Sequence, residues 1–375
     1  MSVLAAIAVI ALLVFVHEAG HFLAARLQGI HVNRFSLGFG PILWKYQGPQ
    51  TEYALRAIPL GGFVGFPDDD PDSDIPPKDP DLLKNRPILD RAIVISAGVA
   101  ANLLFAYLVF VAEFASVGIP ANLVVEPGVF VPELRTETST SAETGGMRAG
   151  DIIIAANGIE FDAQELDVDF LGRSLEKSSS DILIELIQDN AGQPIELTVK
   201  RQDEILDLTV VPEVKDNVSV IGVSLSSAGK VEYRRTGNIF ELLSLAAQKF
   251  QVILLQTVQG FAMLITNFSQ MAGQVAGPVR IVEQGAGLVK ANVASLFPFA
   301  AIISINLAII NILPLPALDG GQLAFLLVEA LRGKPLPERL QESVMQTGLV
   351  LLLGLGVFLI VRDTSQLEIF QDLLQ

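Results

Sequence analysis

The sequence predicts a multi-pass α-helical membrane protein with four transmembrane helices, one inserted β-rich domain and a membrane-associated β-loop. Composition is the first reason: 51% of the 375 residues are hydrophobic and the mean hydropathy is +0.50, too apolar for an ordinary soluble chain. The second is that the apolar residues gather into long runs separated by one extended polar stretch. The third is a set of ionisable residues inside those runs, where they are costly and therefore point to function. The formal charge of -16 excludes nucleic acid as a partner, because phosphate neutralisation needs clusters of Lys and Arg that the chain lacks. Without cysteine there are no disulfides and no thiolate ligands, so any metal must be held by His, Asp or Glu.

The first run, Met1 to Leu27, is too long for a signal peptide and lacks its basic leader, so it is read as a retained membrane helix. Phe35 to Val64 has strand character, with Ile42 to Tyr46 returning as Thr51 to Leu55 through a Gly48-Pro49 turn. The second apolar run covers about Ile88 to Val117. From Val124 to Ser227 the chain turns acidic and alternating, and Leu183 to Leu186, Ile195 to Val199 and Leu206 to Val211 read as strands. Ile239 to Phe268 is apolar but broken by Gln248, Lys249, Gln251, Gln256 and Gln259, which suits an interfacial amphipathic helix. The third run, Leu296 to Leu318, and the fourth, Gly348 to Val361 extended by Val344 to Thr347, complete the spans. This divides the chain into residues 1–118 with the first two spans, 119–232 as the inserted domain, 233–290 as the interfacial region and 291–375 with the last two spans.

Basic residues crowd one side of the spans: Arg26, Arg34, Lys45 and Arg56 after the first, Lys84, Arg86 and Arg91 before the second, Arg332, Lys334 and Arg339 between the third and fourth. Those loops are expected in the cytoplasm, and the termini and inserted domain on the other side.

Inside the first run lies Val16-His17-Glu18-Ala19-Gly20-His21. Positions i and i+4 share a helix face, so His17 and His21 can hold one metal ion while Glu18, one residue on, borders that face. Two histidines leave a catalytic zinc one protein ligand short. Asp319 supplies it, from the run Asn311-Ile312-Leu313-Pro314-Leu315-Pro316-Ala317-Leu318-Asp319-Gly320-Gly321. Pro314 and Pro316 must break the helix there, and broken backbone at membrane depth needs protein or a wet cavity around it. Gly20, Gly320 and Gly321 are expected to let the first and third spans approach closely. Asn102 and Asn311, polar groups in apolar helices, are candidates for binding substrate, with an interhelical hydrogen bond as the simpler alternative. His31 reads as an interfacial loop residue.

These two motifs and their separation resemble the site-2 protease family of intramembrane zinc metalloproteases, in particular its bacterial and plastid members with a PDZ domain between the second and third spans. Ser96-Ala97-Gly98-Val99-Ala100-Ala101-Asn102 extends the likeness, with Val99 where the family usually has proline, and Gly146-Met147-Arg148-Ala149-Gly150-Asp151 through Gly158 is similar to bacterial PDZ domains. The resemblance implies zinc as cofactor, held by His17, His21 and Asp319, with Glu18 as base. It also implies a single-pass membrane protein as substrate, such as an anti-sigma factor or a signal-peptide remnant, cut in its transmembrane segment after an earlier cut elsewhere. It places the chain in a bacterial plasma membrane or, alternatively, a plastid membrane, with the PDZ domain extracytoplasmic. A PDZ-bearing scaffold with a structural metal clip is the other reading, but a clip has no use for Glu18. A metal transporter would need a repeated half that is absent.

Overall fold

The computed structural model describes residues 2–365 apart from 71–72, 136–137, 168, 172, 174–176, 203, 216–217, 269–272 and 274. The last ten residues of the 291–375 segment therefore lie outside the described residues, as does Met1 of the first run. The chain forms two compact units, one made of residues 1–114 and 242–375 and the other of residues 115–241.

The first unit begins with α1 (Ser2–Leu27), apolar along its length as a membrane span must be except where His17, Glu18 and His21 interrupt it and at the terminal Arg26. Strands β1 (Arg34–Gln47) and β2 (Glu52–Gly65) follow, joined at the Gly48-Pro49 turn. They do more than form a hairpin. Arg34 to Leu37 pairs with Gly65 to Gly62 along one side and with Glu52 to Leu55 along the other, while Lys45 to Gln47 pairs back onto Ala54 to Glu52. Gly38 and Gly40 permit this folding back because both sit at positive φ (84° and 83°). Phe39, Ile42, Leu43, Trp44 and Tyr46 are left exposed at the tip, an apolar and aromatic surface suited to the membrane boundary.

Helix α2 (Ile88–Ser116) runs antiparallel to α1. Gly20 makes their approach close, since a Cβ there would meet Ala97 O at 2.5 Å. The partner of Gly20 is thus the second span, not the third, and Gly320 and Gly321 likewise face their own turn, where added Cβ atoms would sit 2.2 Å from Leu313 O and 2.4 Å from Leu315 O. The sequence showed small residues but could not show what each would touch.

After the second unit come α5 (Ile239–Thr266), α6 (Pro278–Ala291), α7 (Leu296–Ile312), α8 (Asp319–Arg332) and α9 (Glu338–Ser365). Five described helices are long and apolar enough to cross a bilayer: α1, α2, α5, α7 with the turn before it, and α9. The fifth is α5, the stretch read from sequence as interfacial. Its direction is constrained by its neighbours. At Gly285 on α6 an added Cβ would touch both Phe299, near the start of α7, and Ala6, near the start of α1. Asn311, near the end of α7, approaches His17 in the second half of α1. Helices α1 and α7 therefore run in the same sense, and the chain between α2 and α7 crosses the bilayer an even number of times. A lone crossing by α5 is incompatible with that. Its early turns meet the far end of α2 through Lys249 and Glu113, 2.8 Å apart, with the ammonium 5.1 Å from the ring of Phe110.

The second unit is a sheet of seven strands with the order β11-β3-β4-β7-β8, β5 beside β4 and β6 beside β3. These are β3 (Ile119–Phe130), β4 (Ile152–Ala156), β5 (Ile159–Glu160), β6 (Gln164–Asp167), β7 (Ile195–Arg201), β8 (Glu204–Val210) and β11 (Ser226–Arg234). A separate pair, β9 (Glu213–Lys215) and β10 (Val218–Val220), and the helices α3 (Ser141–Thr144) and α4 (Ser179–Asp189) complete this β-rich unit. Asn157 and Gly158, both at positive φ, make the tight turn between β4 and β5. Leu183 to Leu186 lies in α4 and is not a strand. Ser178 and Asp181 form a reciprocal capping box at its start, and Leu183 and Ile187, four apart, are buried in the core with Val129, Ile153 and Val199.

Asp151 explains the polar end of the Gly146 to Asp151 run. Its carboxylate accepts the Arg148 N–H at 2.8 Å and two bonds from the Arg201 guanidinium, each 2.8 Å, while that guanidinium also reaches Gly146 O. Burial opposes ionisation of Asp151, but the Arg201 and Arg148 hydrogen bonds and the Arg201 charge outweigh it and hold the carboxyl below its ordinary value. A lowered pKa adds stability that is present above the unfolded value of about 3.9 and lost as pH falls through the folded value. Asp151→Asn is expected to destabilise the β-rich unit by about 2–3 kcal/mol at pH 7, discounted for the partial exposure of Arg201. Limited proteolysis of the full chain should show this difference at pH 7 and its progressive narrowing as pH falls below the unfolded value of about 3.9; a difference undiminished in acid contradicts it.

Candidate metal centre

Three side chains from two distant parts of the chain converge. His17 and His21 stand one turn apart on α1, and their Nε2 atoms are 3.2 Å apart. Asp319 is the first residue of α8, and its Oδ2 lies 3.3 Å from each of those nitrogens. Helix α7 ends at Ile312, the Pro314 to Leu318 segment turns with Ala317 at φ 68°, and the chain restarts as helix at Asp319. The helix break expected from the prolines is what aims this carboxylate at the histidines.

The chemistry of these atoms fits a cation. His21 Nδ1 is 2.8 Å from Val94 O, a carbonyl that can only accept, so the neutral ring carries its proton there and turns a lone pair inward at Nε2. Asp319 Oδ2 is buried with no hydrogen-bond donor placed on it among the described residues. Electron-rich atoms so close repel unless a positive charge lies between them. Zinc bonds of about 2.0–2.1 Å at the tetrahedral angle separate neighbouring ligand atoms by about 3.3–3.4 Å. The observed triangle of 3.2, 3.3 and 3.3 Å matches that spacing.

Glu18 lies beside the triangle and lines the same cavity, of about 760 Å³. Gly61 to Val64 of β2 form another wall, and a Cβ on Gly62 would come within 2.9 Å of Glu18 Cγ. Asn311 also faces the cavity, its Nδ2 3.4 Å from His17 Nε2. Asn102 does not: it is 0% exposed and packs on the far nitrogen of His17. The substrate contact expected of Asn102 lacks a surface to make it with. His31 stands apart near Asp79, 3.7 Å away, with Asp81 close by.

Helix α2 supplies what sequence reasoning missed. Val94, Gly98 and Asn102, spaced by four, lie on one face and run antiparallel to His21 and His17. Val94 meets His21, Asn102 meets His17, and Gly98 lies between, where a Cβ would be 2.3 Å from His21 Nε2. The spacing was visible in the sequence; a backbone carbonyl as partner was not.

Two imidazoles and a carboxylate brought together among apolar helices, with a second carboxylate beside them, match the donor set of a membrane-embedded zinc metalloprotease. Residues 5–355 match the family model described as Peptidase family M50. The chain belongs to this family, the site-2 proteases, and shares its dependence on zinc. It is 60% identical over 367 residues to a protein of Nostoc sp. (strain PCC 7120 / SAG 25.82 / UTEX 2576) named as a zinc metalloprotease, covering 98% of this chain and 97% of that one. It is 44% identical to the chloroplastic membrane metalloprotease ARASP of Arabidopsis thaliana, over 100% of this chain and 81% of the relative. It is 30% identical to the regulator of sigma-E protease RseP of Escherichia coli (strain K12), over 96% of this chain and 98% of the relative. A solved PDZ domain of the SdrC-like protein from Listeria monocytogenes aligns with 27% of this chain and 90% of its own, at 20% identity and a TM-score of 0.21.

Proposed function

We propose that this chain hydrolyses a peptide bond within the transmembrane segment of a single-pass membrane protein, near the cytoplasmic face, after an earlier cut has shortened that substrate. The observation that carries the reading is the triangle of His17, His21 and Asp319 at zinc spacing with Glu18 on the cavity side. In this reading those three residues hold zinc and Glu18 is the general base. Bound zinc supplies Lewis acidity, which brings the pKa of water from 15.7 to about 7 and polarises a carbonyl. Glu18 takes the proton of the attacking water and delivers it to the leaving amine. Asn311 points its amide at the same space and binds the substrate backbone or the developing oxyanion.

A helical substrate hides its amides, so it must unwind before it is cut. The Gly62 to Val64 stretch of β2 is suited to hold it extended, because it pairs on one side with Phe35 to Leu37 and borders the cavity. In this reading Glu18 and Asp319 lie toward the cytoplasm and residues 119–232 outside, where a PDZ-like domain admits substrates already trimmed, residues 233–290 rest at the outer surface and 291–375 return the third ligand; the basic residues crowding the loops support that orientation. The membrane is a bacterial plasma membrane or, alternatively, a plastid membrane, and the substrate an anti-sigma factor or a signal-peptide remnant; a relative named as a regulator of sigma-E protease and another named as a chloroplastic membrane metalloprotease are in keeping with this reading.

The test uses full-length protein in detergent with a labelled single-pass substrate whose outer domain has been removed. Chelation should abolish cleavage, added zinc should restore it, and mass spectrometry should place the cut inside the apolar segment. Cleavage that survives chelation, or falls only outside the segment, overturns the proposal.

A further inference from the structure

Asn102 is a polar side chain in the middle of an apolar helix that reaches neither solvent nor the cavity. Its Nδ2 is 3.2 Å from His17 Nδ1, and its Oδ1, also buried, has no hydrogen-bond partner among the described residues. Its backbone is fixed separately, since Asn102 O accepts the Ser304 hydroxyl at 2.8 Å.

With the amide nitrogen toward the ring, the nitrogen donates to Nδ1, the neutral ring must carry its proton on Nε2, and that atom is closed to a metal. The same arrangement strands Oδ1. A half turn about the Cβ–Cγ bond exchanges nitrogen and oxygen with little change of shape. The ring proton then resides on Nδ1 and is donated to the oxygen, the buried acceptor is satisfied, and Nε2 presents its lone pair to His21 and Asp319. His21 is already held this way by Val94 O.

We infer that Asn102 is a positioning residue for His17: its side-chain oxygen accepts the Nδ1 proton and so reserves Nε2 for zinc. The inference rests on the reading of His17 as a ligand. With Val94, it makes α2 the element that sets the tautomer of both histidines from behind the rings, a role distinct from binding substrate.

Two measurements on the full-length protein in detergent test it. Zinc affinity, by competition with a chelator, should fall about 10- to 100-fold in Asn102→Ala and stay within about threefold of wild type in Asn102→Asp, which keeps an acceptor and cannot donate. Ser304→Ala, which removes the hydroxyl bonded to the same helix turn, should leave zinc affinity unchanged. An Asn102→Ala protein that holds zinc as tightly as wild type, or an Asn102→Asp protein that loses as much as Asn102→Ala, overturns the inference. The second measurement needs no change at Asn102. With only three histidines in the chain, ring nitrogen-15 spectra of the zinc-free protein, assigned with His21→Ala and His31→Ala, report the tautomer of His17. Nδ1–H is expected, and Nε2–H overturns the inference even if Asn102→Ala does not fold. If His17→Ala binds zinc like wild type, the ligand assignment fails instead.

Discussion

Replacing Glu18 by Gln is expected to lower the rate of cleavage by about 10²- to 10⁴-fold while leaving zinc content unchanged. Gln keeps the size and hydrogen-bonding reach of Glu but cannot take a proton, so only the proton-transfer step is lost. That range corresponds to about 2.7–5.5 kcal/mol of barrier. Glu18 is not one of the three atoms of the triangle, which is why metal content should be spared. Its surroundings reinforce the point: it sits between the histidines on α1 and the bare Cα of Gly62, within the cavity wall. The measurement is single-turnover cleavage of a labelled substrate beside metal analysis of the same samples. Wild-type rates in a zinc-loaded Glu18→Gln protein would sink the base assignment. Loss of zinc together with activity would show instead that Glu18 shapes the metal site.

The second large effect is expected at a residue with no side chain. Gly98→Ala puts a methyl group 2.3 Å from His21 Nε2, and 2.8 Å from His17 Cε1, in a place already filled by the rings. Three elements press on that point, with α2 behind, α1 carrying the histidines, and Asp319 closing the front. Either the imidazoles leave their positions or α2 moves off α1. Forcing one methyl into such packing costs about 1–3 kcal/mol, equivalent to a loss of about 5- to 150-fold in zinc affinity if the rings give way. Gly354→Ala on α9 is the matched control, because nothing lies within 4 Å of the added carbon. Chelator competition on both variants checks the expectation. Equal zinc affinity in Gly98→Ala and wild type would mean that α2 yields at no cost and does not set the geometry of the centre.

Much of this molecule is legible along the chain, and the reason is local physics. Membrane helices declare themselves by length and apolarity, which depend on no distant partner, so α1, α2, α7 and α9 follow from composition. The His17 and His21 pair is legible because four residues make about one turn of helix, and the helix break before Asp319 because proline has no N–H to give. Legibility fails where a residue answers to something far away in sequence. Leu183 to Leu186 alternates poorly enough to pass for a short strand, but the Ser178 and Asp181 cap and the burial of Leu183 and Ile187 make it a helix. Gly20 looks like a contact for the third span and is one for the second. Helix α5 has the hydropathy of a span, and only the common direction of α1 and α7 rules out a single crossing.

The order of residues determined the membrane class, the inserted β-rich domain and the clustering of metal-seeking groups with a neighbouring carboxylate, because each is a property of residue type and short spacing. Tertiary structure decided the rest: that Nε2 of two histidines and one oxygen of Asp319 meet within 3.3 Å, that Val94 and Asn102 hold the rings from behind, and that Asn102 is sealed from substrate. Those outcomes depend on which helix faces meet after hundreds of residues of intervening chain, and helix faces are chosen by packing of small residues and buried polar groups rather than by hydropathy.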